Sequence, residues 1–417
     1  MNKDEHFQLS NCAMIKLSCN YWRITILFIA LLMMESVPIM SQNTEKKVEV
    51  AAEVNDEYRK GRKLASKMEY KKAIPHLEKA ANAGLPIAMH ALGVCYYQLA
   101  DYQQAFLWFS EGAKNGNASA QYNLGFCYGN GLGVNKDLQQ SAMWYTKAAE
   151  QGDANAQSNL GVCYEKGEGL EKNMQEAVLW YTKAAKQGNA SAQCNLGICF
   201  EDGKGVQKDM KKAVMWYAKA AEQGDAKAQY NLGCCYFRGE GVSKDLKQAI
   251  KWYTKAAEKG EVSAQSNLGA CYEKGEGVQR DMEKAVMWYT KAAEQGEANG
   301  QCNLGNCYLN GEGVSKDLQK AVLLFSDAAR QGYAKAQFYL GNCYYSGIGV
   351  LKDAQVAVMW YNEAAEQDEV LAQLCLGNCY EYGIGVNQDI QSARKWYERA
   401  AAKGNNEAKE WLTKKMQ

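Results

Sequence analysis

Apolar residues recur along the chain with the spacing of a buried helix face. Ala156, Leu160, Cys163 and Tyr164 fall at i, i+4, i+7 and i+8, which places them on one stripe of a helix. Gly161 costs about 1 kcal/mol of helix propensity relative to alanine. We attribute this loss to a neighbouring helix that approaches too closely for a side chain. The pattern predicts a first helix with a packing notch at its Leu-Gly pair.

A second apolar stripe follows about twenty residues later. Ala177, Trp180, Tyr181 and Ala184 again share one helix face, which ends near Gly188. This spacing predicts a second helix.

The segment between the two predicted helices is rich in glycine. Gly167 and Gly169 can take the positive φ angles that end one helix and redirect the chain. A short acidic or amide side chain then begins the second helix, where it can cap backbone N–H groups. The capping position holds Asp137, Asn173, Asp209, Asp245, Asp281, Asp317, Asp353 and Asp389. The unit is therefore a helical hairpin.

This hairpin is repeated. The Leu-Gly pair begins at 92, 124, 160, 196, 232, 268, 304, 340 and 376, and from Leu124 onward each step is 36 residues. One hairpin cannot bury its own apolar face, so the copies must stack. We expect an all-α chain that forms a right-handed α-solenoid of stacked helical hairpins. It has two tetratricopeptide-like hairpins with short turns at 54–116, eight 36-residue repeats at 117–404 and a capping helix at 405–417.

The N-terminus predicts export. The run "ITILFIALLMM" (24–34) has the length of a signal-peptide core and is short for a bilayer span. We expect a signal peptide at 1–41, with a functional start at Met14, and a linker at 42–53. The alternative is an uncleaved membrane anchor at 24–40, so localisation is either exported (periplasmic or secreted) or membrane-anchored.

Composition argues against several functions. The net charge is +1 and lysines and arginines do not cluster, so nothing favours nucleic acid. His6, His76 and His90 are the only histidines, so the repeats after residue 91 lack the commonest general base and metal ligand. We expect no enzyme activity, no cofactor and no metal site.

The combination of Leu-Gly-x-x-Tyr, G-x-G-V-x-K-D and A-x-x-W-Y-x-K-A-A-x-x-G at a 36-residue period resembles the Sel-one-like repeat family, a branch of the tetratricopeptide-type helical repeats. The resemblance covers roughly residues 85 to 412. It implies an adaptor that binds a partner protein. Some cysteine-rich bacterial members are linked to β-lactam or peptidoglycan binding, which gives the alternative of a cell-wall binding protein or hydrolase. Their cysteines form disulfides within each repeat, whereas "WYTKAA" in helix two has no cysteine here.

Two rows of equivalent residues are expected to have structural roles. One slot holds Cys95, Cys127, Cys163, Cys199, Cys235, Cys271, Cys307, Cys343 and Cys379. Equivalent helices lie about 10 Å apart or more, too far for the Cα separation of about 4.4–6.8 Å that a disulfide needs. We expect small buried side chains there.

A second slot holds Asn123, Asn159, Asn195, Asn231, Asn267 and Asn303. We expect these asparagines to hydrogen-bond to backbone groups.

The tetratricopeptide resemblance also indicates which helix-one positions face the concave groove. The first groove slot holds Tyr122, Ser158, Cys194, Tyr230, Ser266, Cys302, Phe338 and Leu374. The second groove slot holds Phe126, Val162, Ile198, Cys234, Ala270, Asn306, Asn342 and Asn378. The third groove slot holds Gly129, Glu165, Glu201, Phe237, Glu273, Leu309, Tyr345 and Glu381.

Aromatic and amide side chains concentrate near the C-terminal end of these slots. The predicted binding residues are Asn306, Leu309, Phe338, Asn342, Tyr345, Leu374, Asn378 and Tyr382. Rings supply buried area and amides bond a peptide backbone. We therefore expect a non-enzymatic scaffold of the cell envelope that binds a protein or peptide in this groove. The alternative is that these residues are incidental surface or contacts between repeats.

Overall fold

A computed structural model describes residues 50–415, and the predicted signal peptide lies outside this range. The described residues form 21 helices and no strand. They divide into two compact units, one ending at Lys172 and the other beginning at Asn173. Each unit is a stack of antiparallel helical hairpins, as expected for the solenoid class. Residue 50, which lies inside the predicted linker, is already helical.

The first unit contains seven helices. They are α1 (residues 50–65), α2 (Tyr70–Asn82), α3 (Pro86–Gln98), α4 (Tyr102–Lys114), α5 (Ala118–Asn130), α6 (Leu138–Glu150) and α7 (Ala154–Lys166). The second unit contains fourteen. They are α8 (Met174–Lys186), α9 (Ala190–Asp202), α10 (Met210–Glu222), α11 (Ala226–Arg238), α12 (Leu246–Glu258), α13 (Val262–Lys274), α14 (Met282–Glu294), α15 (Ala298–Asn310), α16 (Leu318–Arg330), α17 (Ala334–Ser346), α18 (Ala354–Glu366), α19 (Val370–Tyr382), α20 (Ile390–Ala402) and α21 (Asn406–Lys415).

The turn motif acts as the sequence predicts. Odd-numbered helices from α3 to α19 are helix one of each repeat, and the even-numbered helices that follow them are helix two. Gly275 ends α13 in the left-handed conformation at φ 74°. The next glycine of the motif, Gly277, has no room for a side chain, because a Cβ there would lie 2.7 Å from the Leu246 carbonyl oxygen of the preceding repeat. Asp281 then caps α14 by accepting from the Lys284 backbone N–H at 3.0 Å.

The Leu-Gly notch is confirmed, and its partner is the aromatic ring of helix two. A Cβ on Gly269 would lie 2.6 Å from Cε1 of Tyr289. Glycines and rings meet in the same way at Gly93–Phe109, Gly125–Tyr145, Gly197–Tyr217, Gly233–Tyr253, Gly305–Phe325, Gly341–Tyr361 and Gly377–Tyr397. All of these rings are buried. The glycine therefore lets helix one approach the ring of helix two closely.

Buried glutamines connect successive repeats. Gln265, which is 3% exposed, donates to the Ala257 carbonyl oxygen at the end of α12. Its own carbonyl oxygen accepts from Gln295 at the end of α14, at 2.8 Å. Gln193 and Gln337 bridge the second unit in the same way, and Gln301 accepts from Gln331 at 2.8 Å. These bonds satisfy polar groups that stacking would otherwise bury without a partner.

The outer face of helix two is nearly constant. Trp252 packs against Ala213 and Tyr217 of the preceding repeat, and Lys255 lies over its ring at 4.6 Å. The residue before the tryptophan is exposed and apolar in most repeats, as at Met287 (43% exposed). This face therefore combines lysine–ring contacts with flexible apolar side chains.

The predicted cysteine row lies in the core. All nine row cysteines are at most 6% exposed, and the cysteines described in the structure are free thiols. Burial raises the pKa of Cys343 to about 11 and that of Cys235 to about 12. Cys234 and Cys375, which lie outside the row, are half-buried. The row thiols are packing groups shielded from solvent.

None of the helices between residues 50 and 415 has the length and apolar character that crossing a bilayer requires.

The glycine notch predicts a destabilised Gly269→Ala variant. Overpacking against the Tyr289 ring costs about 1–3 kcal/mol, against a gain of about 1 kcal/mol in helix propensity. The midpoint of guanidinium unfolding, followed by tryptophan fluorescence, should fall. In a Tyr289→Ala background the same substitution should leave the midpoint unchanged or raise it. An unaltered midpoint in the parent background would contradict the notch.

The cysteine geometry predicts selective alkylation. Among the cysteines between residues 95 and 379, the native protein should react with iodoacetamide first at Cys234 and Cys375 at pH 8, because these two side chains are half-buried whereas the row thiols are buried. Peptide mass spectrometry of timed samples locates the modified residues, and a sample in 6 M guanidinium, where every thiol should react, is the control. A row cysteine that reacts as fast as Cys375 in the native protein would show that the row is accessible.

Candidate functional site

The helix-two tyrosines direct their hydroxyl groups toward the groove slots of helix one. Tyr217 donates to Oε2 of Glu201 at 2.5 Å, and Tyr289 donates to Oε2 of Glu273 at 2.5 Å. Burial, reinforced by the neighbouring carboxylate, strongly raises the pKa of both tyrosines. A buried hydroxyl without a partner costs free energy, so each tyrosine requires an acceptor from helix one.

The second and third groove slots share this task. In two repeats whose third slot holds no carboxylate, the second slot supplies the acceptor. Tyr253 donates to Sγ of Cys234 at 3.4 Å, and Tyr361 donates to Oδ1 of Asn342 at 2.7 Å. Conversely, the repeats that use Glu201 and Glu273 carry Ile198 and Ala270 in the second slot. Part of the slot variation therefore comes from alternative partners for one buried hydroxyl.

One 36-residue repeat lacks the hydroxyl, as the short-turn hairpin with Phe109 also does. Phe325 replaces the tyrosine, and its third slot holds the apolar Leu309, which packs against the same cluster. Tyr339, which occupies the asparagine row, stacks on Phe325 with ring centroids 5.2 Å apart. Asn306 in the second slot is half-buried and has no phenol to bond. Its amide is therefore available to a ligand.

The predicted binding residues fall into groups around successive helix-two rings. Phe338, Asn342 and Tyr345 converge on Tyr361, with ring centroids 6.2 Å from Phe338 and 6.5 Å from Tyr345. Phe338 is only 9% exposed, so it serves mainly as a core residue. Tyr345 is half-buried.

The remaining predicted residues surround the next ring. Leu374 is 9% exposed and packs against Tyr397. Oδ1 of Asn378 and Oε2 of Glu381 lie 2.7 and 2.9 Å from the Tyr397 hydroxyl, so these two acceptors share its single proton. Tyr382 is 66% exposed, the most accessible of the predicted set. Surface available to a partner is thus concentrated in Asn306, Leu309, Tyr345 and Tyr382.

The asparagine row differs from the expectation of side-chain bonds to backbone. Asn123 contacts His90 Nε2 at 2.9 Å, and burial lowers the pKa of that histidine. Asn267 bonds the Tyr253 hydroxyl of the preceding repeat. The backbone bonds are made instead by the glutamine two positions earlier in the A-x-A-Q-x-N motif, because that residue lies deeper between the helices.

Three cavities occur at equivalent places on the helix-one face. Each lies between two successive helix-one segments over a helix-two ring. In the first unit, cavities of about 270 and 300 Å³ lie over Phe109 and Tyr145. In the second unit, a cavity of about 220 Å³ lies over Tyr253. Second- and third-slot residues line all three, among them Phe126, Gly129, Val162, Cys234, Phe237 and Ala270.

Residues of the groove slots therefore line these cavities. These cavities lie N-terminal to the predicted 306–382 patch, where larger side chains such as Leu309 and Tyr345 occupy the third slot. Within residues 50–415 no group of three or more His, Cys, Asp or Glu side chains is arranged to hold a metal ion.

One family model matches nearly the whole described part of the chain. The Sel1 repeat matches ten times, at residues 56–85, 86–117, 118–153, 154–189, 190–225, 226–261, 262–297, 298–333, 334–369 and 370–405. The two short-turn hairpins are thus included.

Two solved structures are similar in sequence and fold. A protective antigen present in uropathogenic Escherichia coli strains is 33% identical, with 82% of this chain and 91% of that chain covered and a TM-score of 0.50. A Sel1 repeat protein from Oxalobacter formigenes is 35% identical, with 58% and 96% covered and a TM-score of 0.55.

One curated protein is similar over a short region. The rat DAP3-binding cell death enhancer 1 is 38% identical over 72 residues, which are 17% of this chain and 14% of the rat protein. Sel1 and tetratricopeptide-like repeats are generally scaffolds for protein interaction. With ten matching repeats and these relatives, the chain belongs to the Sel1 repeat family.

Proposed function

We propose that this protein is a non-enzymatic scaffold whose helix-one face binds a partner protein through an extended or helical peptide segment. The observation that carries the proposal is the recurrence of a cavity over the helix-two ring, lined by the same groove slots, at three repeat junctions. Two of these cavities lie in neighbouring repeats of the first unit, which suits a peptide that places successive side chains in successive repeats.

The contrast between the two faces supports this choice. Helix two keeps its tryptophan and lysine in most repeats, whereas the helix-one slots differ from repeat to repeat. Buried tyrosine hydroxyls explain part of that variation, but not Asn306, Tyr345 or Tyr382, since none of them supplies an acceptor to a helix-two hydroxyl. These side chains offer rings and an amide to a partner, which are typical anchors at protein interfaces.

The proposed location is the cell envelope, with the N-terminal segment acting as an export signal. The apolar run at 24–34, followed by Glu35, Pro38 and Ser41, is the support from this chain. The relative from uropathogenic Escherichia coli is a protective antigen, which is consistent with an exported protein.

The location has a direct test in the intact mass of the protein purified from the envelope fraction. Cleavage after Ser41 predicts a mature chain that begins at Gln42. A mass that retains residues 24–40 would instead support the membrane-anchored form. Recovery of the full-length chain from the cytosol would contradict export.

The binding face has a sharper test in site-specific photo-crosslinking. Benzoylphenylalanine is placed at Tyr345 or Tyr382 on helix one, and in matched controls at Met287 or Met359 on helix two, which are 43% and 50% exposed. We expect one shared crosslinked protein, identified by mass spectrometry, from the helix-one positions, at least tenfold above the controls. Equal or stronger crosslinking from the helix-two positions would overturn the assignment of the binding face.

A further inference from the structure

The third groove slot contains one glycine, at position 129 of the first unit. The other repeats carry Glu, Phe, Leu or Tyr there. A Cβ at Gly129 would lie 2.9 Å from Oγ of Ser141, and Ser141 replaces an alanine found at this position in the other 36-residue repeats, such as Ala213. The Ser141 hydroxyl donates to the Gly125 carbonyl oxygen at 2.7 Å, so it is already engaged. The combination of Gly129 and Ser141 distinguishes this repeat from the other 36-residue repeats.

This pair leaves open the space that a glutamate side chain fills elsewhere. In three other repeats the third-slot carboxylate accepts from the helix-two tyrosine, as Glu201 does from Tyr217 at 2.5 Å. The equivalent ring here is Tyr145, which is 6% exposed and forms part of the wall of the 300 Å³ cavity. We call this space the Gly129 cavity; Phe126, Gly129, Lys136, Tyr145, Asn159 and Glu168 line it.

The charges around the Gly129 cavity favour an anionic group. Glu168 has a local counterion in Lys166, at 3.7 Å between Oε1 and Nζ. Lys136 forms no ion pair within the described part of the first unit. The Asn159 amide is hydrogen-bonded to the Tyr145 and Tyr122 hydroxyls, so the ammonium group of Lys136 is the donor in this wall that a ligand carboxylate can accept from.

A second cavity adjoins the first and is uncharged. Phe126 belongs to both walls, and the 270 Å³ space beyond it is lined by Val94, Tyr97, Phe109 and Tyr122 among others. Tyr97 packs edge-on against Phe126 with centroids 6.3 Å apart. Rings without nearby charges suit an aliphatic or aromatic side chain. We call this space the Tyr97 cavity.

We propose that the first unit binds a peptide segment with an acidic side chain in the Gly129 cavity and a neighbouring apolar side chain in the Tyr97 cavity. The ligand carboxylate takes the place that Glu201, Glu273 and Glu381 take in their own repeats. This inference rests on the proposed function, because it names the class of peptide that the helix-one face accepts.

The test uses the full chain and an array of acetylated glycine-serine peptides. Each peptide carries one phenylalanine and one glutamate separated by zero to three residues, and matched peptides carry glutamine or lysine instead of glutamate. Fluorescence anisotropy then gives the Kd of the best binder and its matched peptides. We expect the glutamate peptide to bind at least tenfold more tightly than its glutamine counterpart.

Two variants locate the site. Gly129→Glu combined with Ser141→Ala copies the pair found at Glu201 and Ala213, so the variant should fold while its own side chain fills the cavity. It should weaken binding of the glutamate peptide at least tenfold with an unchanged melting temperature. Lys136→Ala should weaken the glutamate peptide but not the glutamine peptide, whereas Lys172→Ala, the equivalent loop lysine of the next repeat, should weaken neither.

The outcomes separate this inference from the proposed function. Equal binding of glutamate and glutamine peptides, or full binding by the Gly129→Glu, Ser141→Ala variant, overturns the acidic site. Failure of every array peptide to bind overturns it as well. The helix-one face retains its proposed role in each case if Tyr345 and Tyr382 still crosslink a partner that Met287 and Met359 do not.

Discussion

The contact between a glycine of helix one and an aromatic ring of helix two determines the rest of this structure. The absent Cβ lets the two helices approach until the ring of Tyr289 covers Gly269. The ring is thereby buried, and its hydroxyl is directed toward the groove slots of helix one, where Glu273 accepts from it. Because a buried hydroxyl needs an acceptor, this contact also decides which side chains the groove slots can hold.

The packing constraint and the binding surface therefore use the same positions. In most repeats of the second unit the slots provide one acceptor, either Glu273 in the third slot or Asn342 in the second, and the other slot is free to vary. Phe325 removes the requirement in one repeat, and Gly129 leaves the acceptor out in another. In these two repeats no side chain of the second or third slot bonds a helix-two hydroxyl, so these slots are free of the structural role that they have elsewhere in the second unit.

The sequence was sufficient to predict the hairpins, the capped helix starts, the glycine notch and the buried cysteine row, because each depends on local spacing repeated many times. It was not sufficient to separate structural from binding roles among the variable slots. The sequence shows that Ile198 accompanies Glu201 in one repeat and that Asn342 accompanies Tyr345 in another. The meaning of this pairing depends on where the tyrosine hydroxyl points. The bonding partners of Asn123 and the stacking of Tyr339 on Phe325 likewise require the positions of neighbouring repeats.

The central claim is that the partner covers the helix-one face, and hydroxyl-radical footprinting of the full chain with and without the crosslinked partner tests it most directly. Because the exposed tyrosines lie on helix one and the exposed methionines on helix two, one sample measures the oxidation of both faces. Our interpretation predicts that oxidation of Tyr345 and Tyr382 falls several-fold on binding while oxidation of Met215, Met287 and Met359 stays constant. Protection of these methionines with unchanged oxidation of the tyrosines would contradict it and place the interface on helix two.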